Sequence, residues 1–130
     1  MIVIVLLVVV FLLTGNKNVV EGTIINKNET TGKNEITDIK IIYKNKMPYE
    51  MILEVECEDS EVTETSYEVM NEIVKTIKLL NPEDSTTLER KDDSFELRTT
   101  VESEAFTYVP KDLPKDEMKE YLIEQGWEVK

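Results

Sequence analysis

The pattern of apolar and polar residues predicts a strand pair in the first half of the chain. The pattern from Ile36 to Lys44, and that from Tyr49 to Glu58 apart from Ile52, has the period of strands with one buried face. A turn is predicted at Asn45-Lys46-Met47-Pro48. The predicted inward-facing residues are Ile39, Ile41, Tyr43, Met51, Leu53, Val55 and Cys57. A further edge strand is predicted around Val19-Val20 and Thr23-Ile24-Ile25.

An amphipathic helix is predicted after this hairpin. Thr65-Ser66-Tyr67-Glu68 fits a capping box, which predicts that the helix begins there. Asn81-Pro82 predicts its end. Apolar residues recur at helical spacing and predict its buried stripe: Tyr67, Met70, Ile73, Val74, Ile77 and Leu80.

The rest of the chain predicts a second hairpin and a second helix. Thr86 to Lys91 and Phe95 to Glu102 read as strands joined by a turn at Asp92-Asp93-Ser94. Leu113-Pro114 predicts the start of a helix that buries Met118, Tyr121 and Leu122, since proline suits a first helical turn. Gly126 predicts its C-terminal cap, which folds Trp127 back on Leu122. For Glu128 to Lys130 we expect either a short edge strand or a frayed end.

This order of elements predicts an α+β fold. We expect a two-layer sandwich with an antiparallel sheet of about five strands and two helices packed on one face. The predicted organisation is an apolar signal-like leader or short anchor over residues 1–15, a polar tether over residues 16–34, and a single α+β domain over residues 35–130.

The leader predicts where the protein works. Residues 2–13 are all apolar, whereas a helix that crosses a bilayer needs about 20 apolar residues, so this run has the length of a signal-peptide core. We expect the protein at the cell membrane or cell surface on the extracytoplasmic side, with the leader either cleaved or kept as an anchor. Lys17, Lys27 and Lys33 follow the run, and the positive-inside rule taken alone favours the opposite orientation.

The end of the leader resembles a lipoprotein signal. Leu12-Leu13-Thr14-Gly15-Asn16 resembles the lipobox of bacterial lipoproteins, with Asn16 at the position of the lipid-bearing cysteine. Because acylation there needs a thiolate, Asn16 cannot accept the lipid. Together with the hairpin around Ile36 to Tyr43 and the central helix, the leader makes the chain similar to the YehR-like family of small bacterial lipoproteins. The resemblance implies an envelope lipoprotein of unknown activity and carries over no catalytic residue.

Composition narrows the chemistry. With 15 basic and 27 acidic residues the net charge is −12, which predicts repulsion from nucleic acid and from anionic lipid headgroups alike. The chain has no histidine and one cysteine, Cys57, so an intrachain disulfide, a His-Cys zinc site and a Ser-His-Asp triad are excluded.

Two acidic clusters are candidates for cation binding or acid–base chemistry. Glu54, Glu56, Glu58 and Asp59 lie on or beside one strand face, and Asp92, Asp93, Ser94 and Glu96 surround a predicted turn. A solvated sheet face and an ordinary hairpin turn account for them more simply. Cys57 is expected to pack in the core. Tyr43, Tyr49, Phe106 and Tyr108 are the remaining aromatic residues, which either contribute to a partner surface or, as is more common, line the sheet.

We therefore expect a non-catalytic, envelope-associated binding or interaction module whose ligand the sequence does not name. Its expected partners are the cell membrane, through the leader, and an envelope protein, with no nucleic acid. We assign no catalytic, cofactor-binding or metal-binding residue and expect no cofactor. The alternative is a cation-binding or carboxylate-dependent hydrolytic envelope protein.

Overall fold

The computed structural model describes residues 18–27 and 32–130. The predicted leader, including the lipobox-like residues and Asn16, lies outside the described residues.

The described residues form one antiparallel sheet and two helices. The strands are β1 (Val19–Lys27), β2 (Asn34–Lys44), β3 (Met47–Cys57), β4 (Thr87–Arg90), β5 (Ser94–Thr100) and β6 (Glu128–Val129). The helices are α1 (Ser60–Leu80), between β3 and β4, and α2 (Lys115–Glu124), between β5 and β6. The strand order is β4-β5-β3-β2-β1-β6, and every neighbouring pair is antiparallel.

The predicted α+β class is confirmed, with six strands in place of about five. The difference from the prediction concerns β1 and its pairing with β6. β1 lies inside the predicted tether of residues 16–34, and β6 pairs with it at Gly22 and Thr23, so β1 is an internal strand rather than the expected edge. The folded domain therefore begins before residue 35, because Val20 is fully buried in the core.

Both helices pack on the same face of the sheet. The alternating residues of β2, β3 and β5 point to this face, where Val74 of α1 and Met118 and Leu122 of α2 join one apolar cluster with them. The segment between β5 and α2 adds Phe106 and Val109 to that cluster. The buried hydrophobic residues of the strands include Val20, Ile39, Ile41, Tyr43, Met51, Leu53, Val55, Cys57, Phe95 and Leu97.

The start predicted for α1 at the capping box is wrong. The helix begins at Ser60, capped by Asp59, whose side chain accepts a hydrogen bond from the Glu61 backbone N–H at 2.9 Å. Aspartate is one of the strongest N-cap residues, and it lies directly after β3. Thr65 lies inside the helix, where its hydroxyl donates to the Glu61 carbonyl at 2.9 Å.

The end of α2 follows the prediction. Gly126 has φ +95°, a conformation that glycine adopts without the steric cost of a Cβ atom. The Trp127 backbone N–H donates to the Leu122 carbonyl at 2.9 Å, which closes the helix and directs the chain into β6.

A polar network joins the loop before β4 to the loop after β5. The buried Thr86 hydroxyl lies 2.9 Å from the Thr99 hydroxyl and 2.8 Å from that of Ser103. Ser103 also donates to the Asp84 carboxylate at 2.8 Å, and the Thr86 backbone N–H donates to it at 2.8 Å. Burial acts to raise the pKa of Asp84, but these hydrogen bonds from Thr86 and Ser103, with the charge of Lys78, outweigh it and lower the pKa.

We expect the Asp84 network to contribute to acid sensitivity. Because the folded state lowers the pKa of Asp84, its stabilisation is complete above the unfolded pKa of about 3.9 and is lost as pH falls through the folded value. Asp84→Asn should cost about 1 kcal/mol at neutral pH, since it removes a charged acceptor. The measurement is urea unfolding as a function of pH, in which the variant should lose less stability than the parent on acidification. Equal acid slopes would contradict this role.

Candidate functional site

The candidate site is a groove between α1 and the inner face of the sheet. It has a volume of about 320 Å³, within the usual range of ligand pockets, which begins at about 300 Å³. Most of its lining is apolar. The lining residues are Glu35, Thr37, Leu53, Val55, Thr65, Ser66, Val69, Met70, Phe95, Leu97 and Tyr108.

The floor of the groove consists of residues that the strand register places side by side on β2, β3 and β5. Thr37, Val55 and Phe95 are paired across β2, β3 and β5, and in the next row Leu53 is paired with Leu97. Of these paired residues, Thr37 is small and polar. A larger apolar residue at this position would fill more of the groove. The floor of the groove is therefore mostly apolar, with Thr37 as its polar residue.

Helix α1 forms the wall of the groove. Met70 is half-buried and packs against the main apolar cluster and against a second one, which consists of Val55, Cys57 and Phe95. Val69, at the groove, is 59% exposed. Val69 was not part of the stripe predicted for the buried face of this helix. The helix thus presents apolar residues to solvent next to those that it buries.

An exposed apolar stripe continues the groove along α1. Ile73 is 49% exposed and Leu80 is 77% exposed, although both were predicted to be buried. With Ile77 they line a shallow cavity of about 300 Å³ that is bordered by Glu72 and Glu104. From Thr65 to Leu80 the helix rises about 22 Å at 1.5 Å per residue, so the apolar surface is elongated.

Two polar side chains lie at the β2 end of the groove. Glu35 lies on the same face of β2 as the inward-facing Ile39 and Ile41. Its Oε2 atom lies 3.8 Å from the Cys57 thiol. The Tyr108 side chain completes this end. Burial, and then the Glu35 charge, raise the pKa of Tyr108, so its phenol is protonated at neutral pH. The groove thus offers an apolar floor with a carboxylate and a phenol at one end.

Cys57 is buried, as the alternation in β3 predicted. Burial raises the pKa of its thiol and the Glu35 charge adds to this effect, while a hydrogen bond with Thr63 acts in the opposite direction. A thiol that stays protonated is a poor nucleophile. The geometry therefore favours a packing role for Cys57 over covalent chemistry.

We expect slow reaction of Cys57 with thiol reagents in the folded protein. The buried sulfur and its raised pKa both reduce the concentration of accessible thiolate. Labelling with a chromogenic disulfide should be far slower in buffer than in urea. Cys57→Ala should cost only about 1 kcal/mol of unfolding free energy, since it removes one small buried group. Equal labelling rates in the two solvents would show that the thiol is accessible.

The structure brings together one residue from each predicted acidic cluster, Glu54 and Glu96, and the side chain of Lys91 lies between these two carboxylates. Glu54 and Glu96 are paired across β3 and β5 on the sheet face opposite the helices. Lys91 Nζ lies 3.4 Å from the Glu54 carboxylate and 3.0 Å from that of Glu96, and Arg98 Nε lies 2.7 Å from Glu96. The hydrogen bond from Arg98, with that from Lys91, lowers the pKa of Glu96. These carboxylates are neutralised by the chain's own cations.

The remaining acidic candidates have separate structural contacts. Glu58 accepts a hydrogen bond from the Asn34 backbone N–H at 3.1 Å, and Asp59 caps α1. Asp92 and Asp93 lie in the exposed turn between β4 and β5. Within residues 18–27 and 32–130, no cluster of three or more acidic or cysteine side chains is placed to hold a metal ion.

The aromatic candidates divide between core and surface. Tyr43 and Phe106 are buried, and the Tyr43 hydroxyl donates to the Leu113 carbonyl at 2.6 Å. Tyr49 and Tyr108 remain exposed. Tyr108 is the one that lines the groove.

Comparisons with known proteins give no further assignment. No protein-family model, curated protein or solved structure matches this chain. In the part of the chain that the structure describes, neither helix combines the length and the apolar character needed to cross a bilayer.

Proposed function

We propose that this protein is a non-catalytic binding module of the cell envelope that receives an elongated, amphipathic segment of a partner protein. The observation that carries the proposal is the groove between α1 and the sheet, together with the apolar stripe that extends it. Amphipathic helices commonly bind in grooves of this kind, with apolar residues at helical spacing as anchors.

The charges around the groove favour a basic partner. Glu35 lies at one end of the apolar surface, and Glu72 and Glu104 border the other. A protein with net charge −12 attracts cationic segments over a distance of about one Debye length. Apolar anchors flanked by lysine or arginine would match both features.

Membrane attachment through residues 2–13 is the second part of the proposal. Their uninterrupted apolar character supports it, because a stretch of this kind favours a lipid environment over water. The domain would then present its groove to proteins of the same membrane surface on the extracytoplasmic side.

A hydrolytic or cation-binding function is the weaker candidate. It depends on free carboxylates, and Glu54 and Glu96 are engaged by Lys91 and Arg98. The groove, in contrast, has a mostly apolar lining, and binding of an apolar ligand there does not require free carboxylates.

The groove can be tested with a neutral apolar dye, N-phenyl-1-naphthylamine. We expect saturable binding to the full chain in detergent-free solution. Methyl NMR should show shifts concentrated at the groove residues Leu53, Val55, Val69 and Leu97. Shifts concentrated instead at Leu79 and Leu88, on the other side of α1, or no binding, would contradict the assignment.

A further inference from the structure

The chain enters the sheet beside the turn between β2 and β3. The Tyr43 backbone N–H donates to the Asn18 carbonyl at 2.6 Å, and the two-residue turn Asn45-Lys46 begins just beyond Lys44. The apolar run ends at Leu13, five residues before Asn18. At about 3.5 Å per residue, these five residues span at most about 17 Å. A bilayer that holds residues 2–13 would therefore lie near this turn.

The turn carries unpaired positive charge. Neither Lys44 nor Lys46 forms an ion pair with any carboxylate of residues 18–27 or 32–130. Asn45 and Lys46 have φ values of 54° and 68°, the geometry of a type I′ turn, in which glycine is usual at the second position. Lysine occupies that position here and places its charge at the tip of the hairpin.

The same tip exposes apolar and aromatic surface. Met47 and Tyr49 are each 42% exposed, and Lys44 Nζ lies 5.1 Å from the centre of the Tyr49 ring. Tyrosine with a neighbouring lysine is typical of the interface between headgroups and acyl chains, where an aromatic ring meets both water and lipid.

Four acidic residues lie at the opposite end of the sheet. Nearer the turn lie Glu50, whose carboxylate is 3.8 Å from Arg98 Nη1, and Glu102, which follows the Val101 backbone N–H that donates to the Tyr49 carbonyl. β3 runs away from the turn for eleven residues, about 33 Å, and is followed by Glu58 and Asp59, while Asp92 and Asp93 lie in the β4–β5 turn at that end. This distance exceeds the Debye length of about 8 Å at physiological salt. The carboxylates of Glu58, Asp59, Asp92 and Asp93 would be screened from a membrane that the turn contacts, even though the net charge is −12.

We propose that the β2–β3 turn is a lipid-contact site that docks on an anionic phospholipid surface, with Lys44 and Lys46 at the headgroups and Met47 and Tyr49 at the interface. This inference rests on the proposed attachment of residues 2–13 to the membrane. It goes further by fixing the orientation of the domain, in which Glu58, Asp59, Asp92 and Asp93 point away from the bilayer.

Lysine footprinting of the unmodified full chain tests this site. The chain is mixed with vesicles of phosphatidylcholine and phosphatidylglycerol, or of phosphatidylcholine alone, and treated with a water-soluble amine-acetylating reagent. Mass spectrometry then gives the rate at each lysine. Lys27 is the internal reference, because it is exposed and ends β1 at the far end of the sheet, opposite Asn34.

We expect Lys44 and Lys46 to react more slowly only when phosphatidylglycerol is present, with Lys27 unchanged. Lys46→Glu should reduce the protection of Lys44 by about fivefold or more, the factor that corresponds to about 1 kcal/mol per basic residue at an anionic surface. Lys27→Glu makes the same change in net charge and should leave that protection intact, with the exposed Lys33 as the reference in this variant.

Vesicle flotation separates the two proposals. If the chain floats with the vesicles while Lys44 and Lys46 react like Lys27, the lipid-contact site is wrong and the attachment stands. If the chain does not float, the proposal that residues 2–13 attach to the membrane is wrong, and so is the proposed lipid contact at the β2–β3 turn. Equal protection in phosphatidylcholine alone, or without vesicles, would overturn the lipid assignment and indicate a protein contact at the turn.

Discussion

Phe95→Ala should lower the free energy of unfolding by about 3 kcal/mol, the largest loss that we expect from a single substitution. Phe95 is 2% exposed and contacts Tyr67 of α1 edge to face, with ring centres 6.0 Å apart. Truncation of a buried phenylalanine usually costs about 3–5 kcal/mol. We expect the lower end of this range because Phe95 also lines the groove, so water can enter part of the space that is created.

The matched control is Phe95→Leu, which keeps most of the apolar volume and should cost less than about 1.5 kcal/mol. Urea unfolding followed by circular dichroism measures both variants. Small domains have only about 5–15 kcal/mol of stability, so the alanine variant should unfold at a clearly lower urea concentration. A loss below 1 kcal/mol for Phe95→Ala would mean that α1 does not depend on this contact with the sheet.

The alternation in β2 and β3 was enough to predict the central sheet. Ile39, Ile41, Met51 and Leu53 follow a strict period of two, and the inward orientation that it indicates is what the structure contains. Cys57 was placed correctly for the same reason. The pattern is reliable in this part of the chain because one face is buried, whereas the residues of the other face are all at least partly exposed.

The beginning of α1 could not be predicted as well, because two local signals compete. Thr65 to Glu68 matches a capping box, but Asp59 also fits an N-cap and stands nearer to the end of β3. Which of the two signals begins the helix depends on the length of the connection between β3 and α1. That length is known only from the structure. β1 was underestimated in a similar way, since polar residues follow its few apolar ones and its pairing with β6 joins distant parts of the chain.

The groove was beyond sequence reasoning for a geometric reason. Thr37, Val55 and Phe95 are far apart in the sequence and meet through strand register. Val69 lies beside the edge of the predicted stripe of α1, and a single apolar residue next to such a stripe is common on protein surfaces. One signal was present in the sequence, since Val69 and Ile73 are four residues apart and could have indicated a second apolar line.

Val69→Gln should weaken the binding of N-phenyl-1-naphthylamine by about tenfold. Full burial of a valine side chain contributes about 1.5 kcal/mol, and a tenfold change in Kd corresponds to about 1.4 kcal/mol. Glutamine is a good helix former, and Val69 is 59% exposed, so the fold should be little affected. The unfolding free energy should stay within about 0.5 kcal/mol of the parent.

Leu79→Gln is the matched control. Leu79 is 82% exposed on the same helix, but it lies on the other side of α1 beside Leu88, in a shallow cavity that also contains Lys75 and Lys78. The substitution removes at least as much exposed apolar surface as Val69→Gln and adds the same amide. It therefore separates loss of the groove from a general loss of surface hydrophobicity.

The most direct test of the binding proposal is the ratio of the dye's dissociation constants for these two variants, measured by fluorescence titration of the full chain. We expect Val69→Gln to raise Kd about tenfold and Leu79→Gln to leave it at the parent value, a ratio of about ten. A ratio near one, with both variants folded, would contradict the claim that the groove between α1 and the sheet is the binding site.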